Sequence, residues 1–145
     1  MDRGFRPIAG MVAFVAGLLA GVAAYGQGPA SREWRDTFAV DRKDFVASGS
    51  NAYFRLEPGY RLKLEGREGQ RRTTLVITVL DETKTVDGVE TRVVEERESK
   101  GGQLAEVSRN FFAFNAADRS VYYFGEWVDI YKNGRIAGHE GYWES

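Results

Sequence analysis

The chain has 145 residues, of which 43% are hydrophobic and 28% charged, with a formal net charge of −1. That suits one ordinary globular domain and excludes a chain disordered throughout. Basic and acidic residues are interspersed, which removes the electrostatic footprint of a nucleic-acid binder, and the absence of cysteine removes disulfides, thiolate metal sites and a cysteine nucleophile.

Residues 1–26 read as a secretory signal. Arg3 and Arg6 precede an uncharged apolar run over 8–24, and Ala24-Tyr25-Gly26 offers a cleavage site that leaves Gln27 as the new N-terminus. The competing reading is an uncleaved anchor, which the shortness of the run and Gly10, Gly17 and Gly21 disfavour. The expected location is extracytoplasmic, secreted or periplasmic, with membrane contact only through this segment if it stays in place. Residues 27–50 form a linker and a short helical segment. Trp34 and Phe38 stand four apart, Asp41 is placed to cap a turn, and Phe45 and Val46 follow.

Residues 51–145 change to a period of two. Pro58-Gly59 marks a turn, and Tyr60, Leu62 and Leu64 then alternate with Arg61, Lys63 and Glu65 as a half-buried strand. A reversal at 68–70 leads into a long strand over 73–85, closed by Asp87-Gly88. A return strand covers 89–99, Gly101-Gly102 turns it, and 104–115 runs out through Val107, Phe111, Phe112 and Phe114. The stretch 121–143 ends the series as a hairpin around Asn133-Gly134. A two-residue loop there sets Lys132 opposite Arg135, Val128 opposite His139 and Glu126 opposite Gly141. One face then carries Phe124, Val128, Ile130, His139 and Trp143, and the other Tyr123, Trp127, Tyr131, Ile136 and Tyr142. The predicted fold is mostly β, an antiparallel meander of about six strands in a curved sheet or partial barrel.

Three stretches, NAYFRLEPGYRLKLEG (51–66), EVSRNFFAF (106–114) and VYYFGEWVDIYKNGRIAGHEGYW (121–143), together resemble a family of secreted bacterial proteins of unknown function. In that family N-P-Y-F-P-L-x-P-G leads through a meander to V-Y-Y-F-G-E, a Tyr and Asn-Gly pair, and H-E-G-x-W. The chain departs at Ala52, Arg55 and Leu62, and at Ser145 it stops where the family continues, so it looks C-terminally short. The resemblance implies the fold and brings no activity, cofactor or catalytic residue.

The candidate chemistry is sparse, and no catalytic residue, metal or cofactor is expected. His139 is the sole histidine and falls diagonal to Glu126 in this register, an arrangement open to an oriented base but lacking a nucleophile. Glu140 and Asp129 form a carboxylate pair of the kind glycoside hydrolysis uses, without a visible cleft. Asp81, Glu82, Asp87 and Glu90 have the charge for a hard cation but not the alternating loop that binds one. The aromatic row Tyr123, Trp127, Tyr131 and Tyr142 is either core or a platform for sugar rings, an apolar ligand or a protein partner. The expected binding residues are therefore Tyr123, Trp127, Tyr131, Tyr142, Glu126 and His139. A binding module with an unidentified protein partner or apolar ligand is the leading expectation, and a hydrolase acting on envelope or extracellular polymer the alternative. The last strand, 135–143, offers an edge for self-association.

Overall fold

A computed structural model describes residues 40–145. The predicted signal and most of the predicted helical segment, Trp34 and Phe38 included, lie outside the described residues. What remains of that segment is a 3-10 turn, Arg42–Asp44, capped by the Asp41 carboxylate accepting from the Lys43 N–H, and then a strand rather than more helix. The strands are β1 (Phe45–Val46), β2 (Gly49–Ser50), β3 (Arg55–Leu56), β4 (Arg61–Glu68), β5 (Arg71–Val86), β6 (Val89–Lys100), β7 (Gln103–Asn115), β8 (Val121–Lys132) and β9 (Arg135–Glu144).

The six long strands follow one another across a single antiparallel sheet in chain order, β4 to β9, and β2 and β3 pair separately. The local chemistry explains the meander. At both Asp87-Gly88 (φ 46° and 77°) and Asn133-Gly134 (φ 51° and 75°) the two central residues have positive φ, the geometry whose twist matches that of the flanking strands. β1 breaks the sequential rule: Phe45 pairs with Asn115 and Val46 with Phe114.

Alternation places Val93 and Val94, and Phe111 and Phe112, on opposite sides of the sheet, so each side has its own core. On the Leu56 face, Leu56, Val79, Val94 and Phe114 are buried, with Phe54, Phe112 and Val121 packed against them. Asn51 delivers the covering loop: its carboxamide oxygen accepts from the Tyr53 and Phe54 N–H groups, each at 2.8 Å, and its Nδ2 donates to the Arg119 carbonyl at 3.0 Å. On the Phe111 face, Val86, Val93 and Phe111 pack with Leu80, Phe124 and Trp127. Phe45 extends that face by meeting Tyr122 and Phe124 edge-on. Each fully buried side chain of this size contributes about 1.5–3 kcal/mol.

Three departures from the expected pattern matter for the site. First, β4 is an edge strand whose residues are all exposed, Leu62 and Leu64 included, rather than half-buried. Second, the β5–β6 ladder jumps from Val79–Val94 to Thr83–Arg92. The surplus in β5 bends that hairpin, and β6 leaves β7 beyond Arg92, where β1 takes its place. Third, the final hairpin keeps its predicted turn but not its register.

Candidate functional site

β8 and β9 start in register, with Lys132 opposite Arg135 and Tyr131 opposite Ile136. Ala137 is then an extra residue, so Ile130 faces Gly138, Asp129 faces His139, and Val128 faces Glu140 instead of His139. A second slip follows at Gly141, which sets Glu126 opposite Trp143 instead of Gly141. A third lies between β7 and β8: Phe111 faces Gly125 but Phe112 faces Tyr123. Each single extra residue exchanges the faces beyond it. The expected row of four aromatics is thereby divided. Tyr123 joins Glu126, Val128, Ile130 and Trp143 on the Leu56 face, whereas Phe124 and His139 join Trp127 and Tyr142 on the Phe111 face.

Gly125 lies beside the β7–β8 slip and admits β9 on its other side. Its φ is 151°, and a Cβ there would stand 2.4 Å from the Trp143 carbonyl oxygen and 3.0 Å from the Glu144 Cα. Only a glycine lets β9 approach this closely.

On the Phe111 face, the Trp127 and Tyr142 rings stack at 5.6 Å with 8° between their planes, and Phe111 meets Trp127 edge-on at 5.2 Å. Glu144 ties this group together. Its Oε1 accepts from Trp127 Nε1 at 2.9 Å and from the Tyr142 hydroxyl at 3.3 Å, and lies 3.3 Å from Lys84 Nζ. Lys84 Nζ also stands 4.3 Å from the Trp127 ring centroid, within cation–π range. Beside the stack, His139 Nδ1 and Asp129 Oδ1 are 2.6 Å apart, and Arg109 pairs with Glu82. Arg109, Trp127, Val128, Asp129, His139 and Tyr142 line a depression of about 410 Å³. Tyr142 is 69% exposed.

The Leu56 face carries a polar group of a different kind. The Tyr123 hydroxyl lies 2.5 Å from Asn110 Oδ1 and 2.9 Å from Glu126 Oε2, and Trp143 Nε1 donates to Glu126 Oε1 at 3.3 Å. Tyr123 is stacked on Phe112 at 4.6 Å. Burial, then the charge of Glu126, raises the pKa of Glu96. Glu106 is raised as well, by burial first and then by the charges of Glu98, Glu126 and Glu96. Burial and the contact with Glu126 push the Tyr123 phenol far above the ordinary tyrosine range.

Comparison with protein-family models, with curated proteins and with solved structures finds no match.

Of the six predicted binding residues, Trp127, Tyr142 and His139 meet at one depression. Tyr123 and Glu126 meet on the reverse side of the sheet. Tyr131 lines a separate hollow of about 310 Å³ with Arg71, Lys100, Lys132 and Asn133. His139 bonds to Asp129 and not to Glu126, from which the sheet separates it. Glu140 faces Val128, so it does not pair with Asp129 either. Three acidic members of the supposed cation cluster engage bases instead, Asp81 with Arg92, Glu82 with Arg109 and Asp87 with Arg42. Among the described residues no three acidic or histidine side chains are placed to hold a metal. Sequence reasoning missed Arg109, Glu144 and Lys84. Arg109 left a signal, since it alternates with Val107 and Phe111 and so had to be a cation on an apolar face.

Proposed function

We propose that this protein is an extracytoplasmic binding module, without catalysis of its own, that receives a ligand or partner on the Phe111 face of β8 and β9. The observation that carries this reading is the Trp127–Tyr142 stack. Tyr142 is held flat against Trp127 and tethered to Glu144, yet remains 69% exposed. An aromatic serving only the core would be covered. A rigid aromatic at the mouth of a depression adds contact area with little ordering cost on binding. The signal-like residues 1–26 and the resemblance to a secreted family support the compartment.

A hydrolase acting on envelope or extracellular polymer is the second reading. Its expected residues are divided: Glu126 and Glu140 occupy one face, and Asp129 and His139 the other. One observation still favours it, because Glu96, whose pKa burial and the Glu126 charge raise, shares a face with Glu126, which accepts two hydrogen bonds. If that pair were catalytic, Glu96→Gln would abolish polymer cleavage by the purified protein.

Native mass spectrometry of the secreted protein tests the leading reading. A co-purifying species is expected with the wild type and not with Tyr142→Ala. Identical spectra for the two proteins would overturn the assignment of the site.

A further inference from the structure

Resting on the binding reading above, we infer that the depression beside Tyr142 takes a neutral sugar ring, as a unit of an oligosaccharide or polysaccharide. Its polar groups argue against an anion and against a wholly apolar ligand. Both cations at the site are engaged, Arg109 by Glu82 and Lys84 by Glu144, and Asp129 is engaged by His139. Each cation is compensated by a carboxylate, so no positive charge is left over to draw an anionic ligand.

A wholly apolar ligand fits no better. It would cover the Arg109, Asp129 and His139 edges without supplying hydrogen bonds, and burying polar groups in that way is unfavourable. A pyranose ring satisfies both demands. Its C–H face packs on an aromatic ring, and its hydroxyls both donate to Asp129 and accept from the Arg109 guanidinium. The volume, about 410 Å³, is near the lower end of ligand sites. Exposure of the His139 side chain (74%) and of Tyr142 (69%) leaves the hollow open along β9, so neighbouring sugar units can run past it.

Calorimetric titration of the full-length secreted protein with the neutral hexasaccharides of cellulose, chitin, xylan and amylose tests the inference, with oligogalacturonate and the uncharged apolar dye N-phenyl-1-naphthylamine as contrasts. At least one neutral sugar is expected to bind, and Tyr142→Ala and Asp129→Asn should each weaken it by about tenfold or more with little change in melting temperature. Tyr142-dependent binding of the dye or of oligogalacturonate, with no neutral sugar bound, would overturn the ligand class and leave the binding reading standing. If no probe shows Tyr142-dependent binding, both fail. Sugar binding that survives Tyr142→Ala and Asp129→Asn would place the sugar elsewhere and overturn the inference.

Discussion

Glu96 presents its carboxyl to a face that it shares with Glu98, Glu106 and Glu126, where ionisation is costly. Burial is the larger cause and the charge of Glu126 the next, and together they lift its pKa above the ordinary 4.5. An acid whose pKa is raised by folding contributes stability that is fully present below its unfolded value and is lost as pH rises through the folded one. Glu96→Gln keeps the volume and removes the charge. The variant is therefore expected to melt higher than the wild type at about pH 7.5 and at nearly the same temperature near pH 4. Circular dichroism melts across that range check this, and an offset that is constant with pH would sink it. Nothing local in the sequence announces this role. VVEERESK reads as a solvated strand, and the partner that matters, Glu126, lies two strands away in the sheet. His139 was legible as a residue without a nucleophile. Its true companion, Asp129, depended on a slip at Ala137 that no side-chain preference marks.

Strands and turns were legible because each is decided within a few residues. Alternation marks β5 to β8, and the two turns with positive φ follow from Asp-Gly and Asn-Gly. The slips were not legible, because each arises where two strands meet. Gly125 is the clearest instance. In the sequence it is a glycine inside an aromatic strand, and only the approach of the Trp143 carbonyl explains it. Gly125→Ala is expected to cost about 2 kcal/mol or more, since a strained backbone and a contact with β9 backbone combine. Gly134→Ala provides the comparison. It also has positive φ (75°), but nothing stands within 4 Å of the added methyl, so about 1 kcal/mol is expected. Urea midpoints rank the two variants, and an equal or reversed order would show that β9 does not press on Gly125.

Across the whole molecule, Lys84 and Glu144 measure the curvature of the sheet. They belong to β5 and β9, four strand spacings apart, which is about 19 Å in a flat sheet. Their charged groups are nevertheless 3.3 Å apart. The bent β5–β6 hairpin brings Lys84 over Phe111 and Trp127 to reach Glu144, and Arg109 and Glu82 make a second tie between β7 and β5. Lys84→Met retains the aliphatic stem and removes the charge. With the ammonium partly shielded, a loss of about 1 kcal/mol is expected, together with faster amide exchange in 83–91. Unchanged exchange there would mean that the bend in β5 holds the hairpin down without the tie. An open antiparallel meander of six strands was legible in outline. Its tightness was not, since the bend in β5 and the ties from Lys84 and Glu82 join strands that no local pattern connects.

The pairing of β1 with β7 has a consequence for the order in which the chain assembles. Every other ladder of the large sheet joins neighbours in sequence and needs only a short loop to close, whereas Phe45 must find Asn115 and Val46 must find Phe114. Closing so long a loop for two residue pairs carries an entropic cost with little return until β7 and β8 already stand. The first strand should therefore dock late in folding and open early in the native state. Phe45 leaves with it, uncovering Tyr122 and Phe124. Native-state hydrogen exchange is expected to show 45–46 opening well below the global unfolding free energy while the middle of β6 and β7 exchanges only with it. Exposure of the Phe111 face would then begin at its β1 end, away from the Tyr142 depression, so that a ligand held there would slow global unfolding more than the release of β1.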